Sequence, residues 1–392
     1  MREMIKNLIF LLFFPIILFA QAFPGCVFLM IYPGTRQVGM AGAFSAIADD
    51  ALATYYNPAG LAFQKNIDFS HHYVNPWLPG LTERLDIKMY YIYSTFVAPI
   101  TKKFTCGLFF DYLNSGEIEV WNEKGELLGE YTPYDYALGF SCGYKLLPNL
   151  GIGGNFKYIY SLLFPDWLGD LIELEGETGR SVAFDFGLLR IIDKGYLKIR
   201  DALVFQNLGP PISYIKDNEP DPLPYSIRIG NALEFKYLDL LIKKEFSQQD
   251  WLTKFFIENS YLLIAFDLRQ DLYFESPPWF SFGLEISLPP LSFRFGYFED
   301  TEGWRGGVIV EDEYGEQEYI SIFEYLFDRK GRKIIKGDRQ VLIPYTWSVG
   351  INFKFFKIDI GSDAYIYSFP TDNWRFNISL NIGEPIFKGH IL

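Results

Sequence analysis

Along most of the chain, apolar and polar residues alternate one by one. In residues 374–382 (WRFNISLNI), Trp374, Phe376, Ile378, Leu380 and Ile382 share one face, and Arg375, Asn377, Ser379 and Asn381 share the other. Residues 280–288 set Phe280, Phe282, Leu284, Ile286 and Leu288 against Ser281, Gly283, Glu285 and Ser287, and residues 182–188 repeat the pattern. A period of two is the strand signature, because a helix would scramble both sets. Runs at 104–112, 136–144, 150–160, 227–235 and 349–355 behave the same way. Strands are predicted near 66–75, 86–98, 104–113, 134–145, 150–161, 181–191, 197–207, 224–236, 260–269, 279–288, 290–298, 344–355, 356–367 and 373–383. That is about fourteen, an even number of the kind bacterial barrels use.

The connections between these segments are unequal. Leu147-Pro148-Asn149 and Asp193-Lys194-Gly195 read as tight periplasmic turns. Residues 114–133, 162–180, 209–223, 237–259 and 299–343 are long, charged or Pro-rich and read as outer loops. The face carrying large aromatics is poorly suited to a soluble sandwich core, and strands of ~9–11 residues match a tilted membrane crossing. The fold class expected is all-β: a transmembrane antiparallel barrel with its N-terminal segment inside the lumen.

That segment, residues 34–60 (GTRQVGMAGAFSAIADDALATYYNPAG), is rich in Gly and Ala, carries the adjacent acids Asp49 and Asp50, and closes on Asn57-Pro58-Ala59-Gly60. Small residues suit a compact plug in a confined space, and Asn-Pro followed by Gly breaks any helix there. Asn57 and Pro58 form either a hinge or a fixed turn that seals the lumen, and a Pro-fixed turn favours sealing. Asp49 and Asp50 are expected to face lumen cations such as Lys157 or Arg228, since charges inside a barrel need partners.

Ahead of the plug lies a leader: basic Arg2 and Lys6, the apolar run 8–19 (LIFLLFFPIILF) and the small-residue site Ala20-Gln21-Ala22. Cleavage is predicted after Ala22, and Phe23-Pro24-Gly25-Cys26 fits a lipidation signal poorly. The chain then divides into a leader (1–22), a hatch (23–65) and a barrel (66–392), exported to the bacterial outer membrane.

Composition narrows the function. The formal charge is −13, and loss of Arg2, Lys6 and Glu3 with the leader makes it −14, which argues against a nucleic-acid partner. With 38 Phe and 27 Tyr but no second long uncharged apolar run, the chain fits strands with aromatic belts in outer-membrane lipid. Three cysteines exclude a disulfide framework, and Cys106 and Cys142, on the apolar face, read as small hydrophobes, with a bridge the lesser alternative. His71 and His72 point to opposite faces of a strand and make a poor metal site. The acids Asp217, Glu219, Asp221, Glu311, Asp312 and Glu313 read as solvated loop charge. No catalytic triad, phosphate loop or Cys-x-x-Cys pair is present, so no enzyme, cofactor or metal is expected.

Residues 28–63 (FLMIYPGTRQVGMAGAFSAIADDALATYYNPAGLAF) closely resemble the N-terminal hatch of the FadL-like outer-membrane transport superfamily. LPNLGIGGNFKYIYS (147–161), SVAFDFGLL (181–189), LVFQNLGPPISY (203–214) and LPYSIRIGNALEF (223–235) resemble, in order and spacing, its PorV/PorQ branch. The resemblance implies hatch and gating residues Gly39, Met40, Gly42, Asp49, Asp50, Asn57, Pro58 and Ala59. It also implies a component of type IX secretion that binds secreted cargo by its sorting domain and meets a surface sortase. The alternative is a FadL-like channel for hydrophobic small molecules such as long-chain fatty acids. A continuous apolar pocket would favour the channel; a plugged lumen with apolar outer loops would favour docking. Trp121, Trp167, Leu168 and Trp251 are candidate docking residues. Two departures stand out: the chain runs past Ile382 into GEPIFKGHIL, leaving Phe387 as the terminal aromatic, and the loop 299–343 is either a docking surface or a solvated loop.

Overall fold

The structure, a computed structural model, describes residues 24–79, 82, 87–172, 178–214, 220–237, 256, 259–273, 278–300, 308–311, 314–320, 333–334, 345–353, 355–363 and 373–383. The leader 1–22, Trp251, Phe387, the acids Asp217, Glu219, Asp312 and Glu313, and most of 299–343 lie outside them.

Nineteen strands occur among the described residues. They are β1 (Ile67–Val74), β2 (Tyr90–Pro99), β3 (Phe104–Asn114), β4 (Ile118–Trp121), β5 (Leu127–Tyr131), β6 (Tyr134–Leu147), β7 (Leu150–Leu162), β8 (Thr178–Asp193), β9 (Leu197–Leu208) and β10 (Ser226–Phe235). They continue as β11 (Tyr261–Asp271), β12 (Trp279–Leu288), β13 (Leu291–Asp300), β14 (Val308–Glu311), β15 (Gln317–Ile320), β16 (Lys333–Ile334), β17 (Tyr345–Asn352), β18 (Phe356–Asp363) and β19 (Asn373–Gly383). Fourteen of them close an antiparallel barrel, β1 pairing β19 with Ile67 opposite Gly383 and Tyr73 opposite Phe376. All fourteen predicted segments are barrel strands. The hairpin β4–β5 and the small sheet β15-β14-β16 stand apart from it, inside two of the loops.

The alternation has its physical cause in the two surroundings of the wall. On β19, Trp374, Phe376, Ile378, Leu380 and Ile382 are exposed outward while Arg375 and Asn377 are buried inward. On β12, Phe282, Ile286 and Leu288 are exposed, whereas Ser281, Glu285 and Ser287 are buried. A closed wall with an apolar outer face and a polar inner one is a transmembrane barrel, and this chain is a bacterial outer-membrane protein. No helix among the described residues is long and apolar enough to cross a membrane. A further arc of outward tyrosines, Tyr90, Tyr112, Tyr134 and Tyr160, packs ring against ring at 5.8–6.2 Å near one rim, where an aromatic girdle belongs.

Strand direction fixes the two ends. β6–β7 and β8–β9 turn tightly at one end, the periplasmic one by the length rule for such barrels. The connection 237–259 was expected among the outer loops, but it belongs to the opposite end. β10 descends to Phe235, paired with Leu197, and the Lys236 N–H donates to the Tyr196 carbonyl at 2.9 Å, beside the β8–β9 turn. Its charge and length resemble an outer loop, yet an even-numbered barrel strand must end at the periplasmic side.

Cys106 and Cys142 are cross-strand partners on the outer face, free and half-buried, with sulfurs 3.3 Å apart. The two histidines do diverge: His71 Nδ1 lies 2.8 Å from the Ser94 hydroxyl, while His72 is fully buried inside near Arg375.

Candidate functional site

Residues 24–63 thread the lumen from its outer end to its periplasmic end. The Gly25 N–H donates to the Pro222 carbonyl in the outer loop after β9. At the other end, the short helix Pro58–Phe63 packs on the periplasmic halves of β6, β7 and β8. Nearly every hatch side chain between is buried.

The segment fits because the wall makes room. A Cβ on Gly143 would overlap Ala62, on Gly153 would overlap Pro58, on Gly187 the Asn57 amide, on Gly230 Ser45, and on Gly296 Ala41. These inward glycines fall on the polar set of the alternation, where their absence of a side chain is the only signal the sequence carries. On the hatch, Gly42 has φ +74° and a Cβ there would meet the Tyr32 ring at 2.6 Å. Gly39 lies against Ser348, and Met40 is fully buried against Gly283.

Asn57 holds the turn. Its side-chain oxygen accepts from the Ala59 N–H at 3.0 Å, capping the helix that Pro58 begins. Its amide nitrogen donates to the Ser45 carbonyl at 2.8 Å and to the Leu188 carbonyl of β8 at 3.2 Å. One side chain thus ties the turn, the hatch and the wall.

The lumen has two tiers. In the outer tier the wall aromatics Trp77, Tyr91, Tyr93, Trp279 and Phe298 are buried, and the hatch residues Phe28, Leu29, Ile31 and Tyr32 fill the space they enclose. Tyr32 stacks on Trp279 with centroids 6.1 Å apart and an interplanar angle of 10°. The Arg228 guanidinium lies 4.9 Å from the Tyr32 ring, Arg269 donates to its hydroxyl at 3.3 Å, and Arg375 donates to its carbonyl at 2.7 Å.

The inner tier is ionic. Arg36 reaches Asp49 at 2.6 Å, Asp50 at 3.2 Å and Glu285 of β12 at 3.0 Å. Glu285 also meets Arg294 at 3.3 Å, and Arg294 meets Asp359 at 2.6 Å. Asp49 is 3.4 Å from Arg200 of β9, which pairs with Glu234. Asp50 accepts from the Gln37 amide at 2.8 Å and from the Leu52 N–H at 3.0 Å. Burial raises the Asp49 carboxyl, but Arg36 and Arg200 outweigh it and hold the group below the ordinary carboxylate range. Burial pushes the Asp50 carboxyl up, and the charge on Asp49 adds to that against the pull of Arg36.

The acids therefore have different partners from those expected. Lys157 pairs with Asp185 at 2.8 Å and donates to Asn207 at 2.6 Å, and Arg228 stands in the aromatic tier. Both point inward as predicted but sit at other places on the wall. Arg36, the residue that organises the acids, is the cation nearest to them in sequence, and that proximity was the available signal. Of the loop residues, Trp121 and Trp167 are exposed while Leu168 is buried.

No protein-family model matches the chain, and no curated protein matches it. Among solved structures, it is similar to the CymD monoaromatic hydrocarbon channel at 9% identity, with 90% of this chain and 98% of that one covered and a TM-score of 0.46. It is also similar to the P. putida toluene transporter TodX (11% identity, 90% and 99% covered, TM-score 0.45). A Pseudomonas aeruginosa FadL homologue matches at 10% identity, with 90% and 98% covered and a TM-score of 0.40. The PorV/PorQ resemblance finds no counterpart among these matches.

Proposed function

We propose that the protein is an outer-membrane channel for hydrophobic small molecules, closed at rest by its hatch. The observation that carries this reading is the aromatic outer tier. A path for ions or sugars would be lined with polar groups throughout, whereas here Trp77, Tyr91, Trp279 and Phe298 share the half of the lumen nearest the outer loops with the cations Arg228, Arg269 and Arg375. The segment Phe28–Tyr32 occupies that tier, so a solute enters as this segment gives way. The hatch is the gate, and Gly39, Met40, Gly42, Asp49, Asp50, Asn57, Pro58 and Ala59 are its moving or sealing parts. The ionic inner tier keeps the closed barrel from leaking.

A second reading, a docking barrel for secreted proteins, is favoured by the filled lumen and by one surface. Trp121, Leu127 and Leu128 on the β4–β5 hairpin, and Trp167 and Leu171 on the loop helix Asp166–Ile172, are exposed at the outer end. Gly129 lies against the Trp167 ring, so hairpin and helix form one apolar patch. Cargo carrying a C-terminal sorting domain, with a surface sortase, would be its partners.

Gentle extraction from the native outer membrane, followed by mass spectrometry of everything that copurifies, separates the two. A bound apolar small molecule without protein clients supports the channel. Secreted proteins sharing a C-terminal domain, or a sortase-like protease, overturn it in favour of docking.

A further inference from the structure

Cysteine is scarce in this chain, with three among 392 residues, yet two of the three meet across one pair of wall strands. Cys106 on β3 and Cys142 on β6 are directly opposite each other on the outer face, and their sulfurs are 3.3 Å apart. Directly opposed residues of an antiparallel pair have Cα atoms about 4.5 or 5.5 Å apart, and both spacings lie within the range a disulfide spans. Small hydrophobes alone would have no reason to fall in one register.

Their surroundings leave each thiol one partner. In the same row of the wall, Ala98 of β2 flanks Cys106 and Gly154 of β7 flanks Cys142. The outward rows on either side are large and apolar: Phe104 and Tyr144 toward the periplasmic turn, Leu108 and Phe140 toward the middle of the membrane. The pair thus lies one outward row in from the β2–β3 turn, at the edge of the apolar band.

The other side of the same wall carries the hatch. Gly107 and Gly143, the residues that follow the two cysteines, face inward, where an added Cβ would come within 3.3 Å of Thr54 and 2.5 Å of Ala62. The cysteines stand back to back with a hatch contact.

We propose that Cys106 and Cys142 form a disulfide in the exported chain, and that this bond staples β3 to β6 behind the hatch. A chain bound for the outer membrane crosses the periplasm, where disulfides form and persist. The oxidant is the disulfide of a periplasmic dithiol oxidoreductase. One barrel thiolate attacks it, forming a mixed disulfide and expelling one oxidant thiolate. The second barrel cysteine then attacks the barrel-side sulfur and expels the other. The barrel loses two electrons and two protons, and the oxidant takes them up as a dithiol. The bond closes a loop that runs through the β4–β5 hairpin, so it restricts the unfolded chain as well as the wall. This staple is independent of what the barrel conducts or docks.

The test starts from the full chain in its native outer membrane, acid-quenched, then unfolded in excess N-ethylmaleimide at neutral pH and digested without reductant. Mass spectrometry should find the Cys106 and Cys142 peptides joined and a single maleimide, on Cys26. Maleimide on all three cysteines, or Cys26 joined to either of the others, would overturn the bond. The staple is read on the same membranes, because a reductant acts on the folded barrel and needs no variant. Reduction should speed trypsin cleavage after the buried Arg36 several-fold. Cys106→Ala/Cys142→Ala should be cleaved at the rate of the reduced wild type and be indifferent to reductant. Wild-type cleavage at one rate with and without reductant would overturn the staple.

Discussion

Arg36 and Asp49 meet at 2.6 Å inside the periplasmic half of the lumen, and the same guanidinium holds Glu285 of the wall at 3.0 Å. One hatch cation thereby joins the hatch's own acids to the barrel. Arg36→Gln would leave Asp49, Asp50 and Glu285 facing one another with less compensation and is expected to loosen the hatch. Planar-bilayer recordings should find a near-silent wild type and frequent ion-conducting openings in the variant; a variant as silent as wild type would contradict the latch.

The two neighbouring acids should behave differently. Asp49 titrates below the ordinary range, so its pairing stabilises the fold above the usual Asp value of about 3.9 and is lost only as pH falls through its lower, folded value. Hatch stability should therefore survive mild acid. Asp49→Asn should cost about 1–2 kcal/mol at pH 7, less than the ~3–5 for breaking a fully buried pair because its side chain is 37% exposed. Burial and the charge on Asp49 push Asp50 the other way, so Asp50→Asn should cost less, about 1 kcal/mol for the one acceptor it turns into an NH2 group facing the donors of Gln37 or Leu52. Urea unfolding of the two variants at pH 7 checks the order.

Asn57 makes one hydrogen bond within its turn and two across it. Asn57→Ala should lose about 2–3 kcal/mol, at roughly 1 kcal/mol per bond. Asn57→Asp keeps the cap but turns two donors into acceptors facing the Ser45 and Leu188 carbonyls, so it should be no better than alanine. Unfolding midpoints measure both.

The wall glycines give a steric test. Gly187→Val drives a branched side chain into the Asn57 amide and should lift the hatch from β8. Arg36 is buried, so trypsin cuts after it only when the hatch leaves the lumen. Limited proteolysis should find this site protected in the wild type and cleaved in the variant, and equal protection would contradict the close fit.

Much of this architecture was legible in the sequence, for a physical reason. Lipid outside and a polar lumen inside force a strict alternation such as that of Trp374–Ile382, and tight turns such as 147–149 mark where strands reverse. The plug was legible from its many small residues, which suit a confined space, while the inward wall glycines make room for Met40, Asn57 and Pro58. The ion pairs were not. Lys157 and Arg228 point inward as the alternation requires, but the depth at which Asp49 comes to rest depends on how the whole hatch threads the barrel. The place of 237–259 was available and missed: strands alternate in direction, so the connection after the eighth barrel strand must be periplasmic whatever its composition. The β4–β5 hairpin escaped because its exposed strands have no buried face to impose a clear period.

The central claim, that solute passes through the lumen when the hatch moves, is tested most directly by locking the hatch. The Thr54 and Thr95 hydroxyl oxygens are 3.1 Å apart, one on the hatch and one on β2. Thr54→Cys/Thr95→Cys, with Cys26, Cys106 and Cys142 replaced by alanine, should form a disulfide between hatch and wall. In liposomes carrying this variant, uptake of a neutral aromatic probe should stop on oxidation and return on reduction, while the cysteine-free barrel is unaffected by either treatment. Equal uptake by the oxidised and reduced forms would contradict the account.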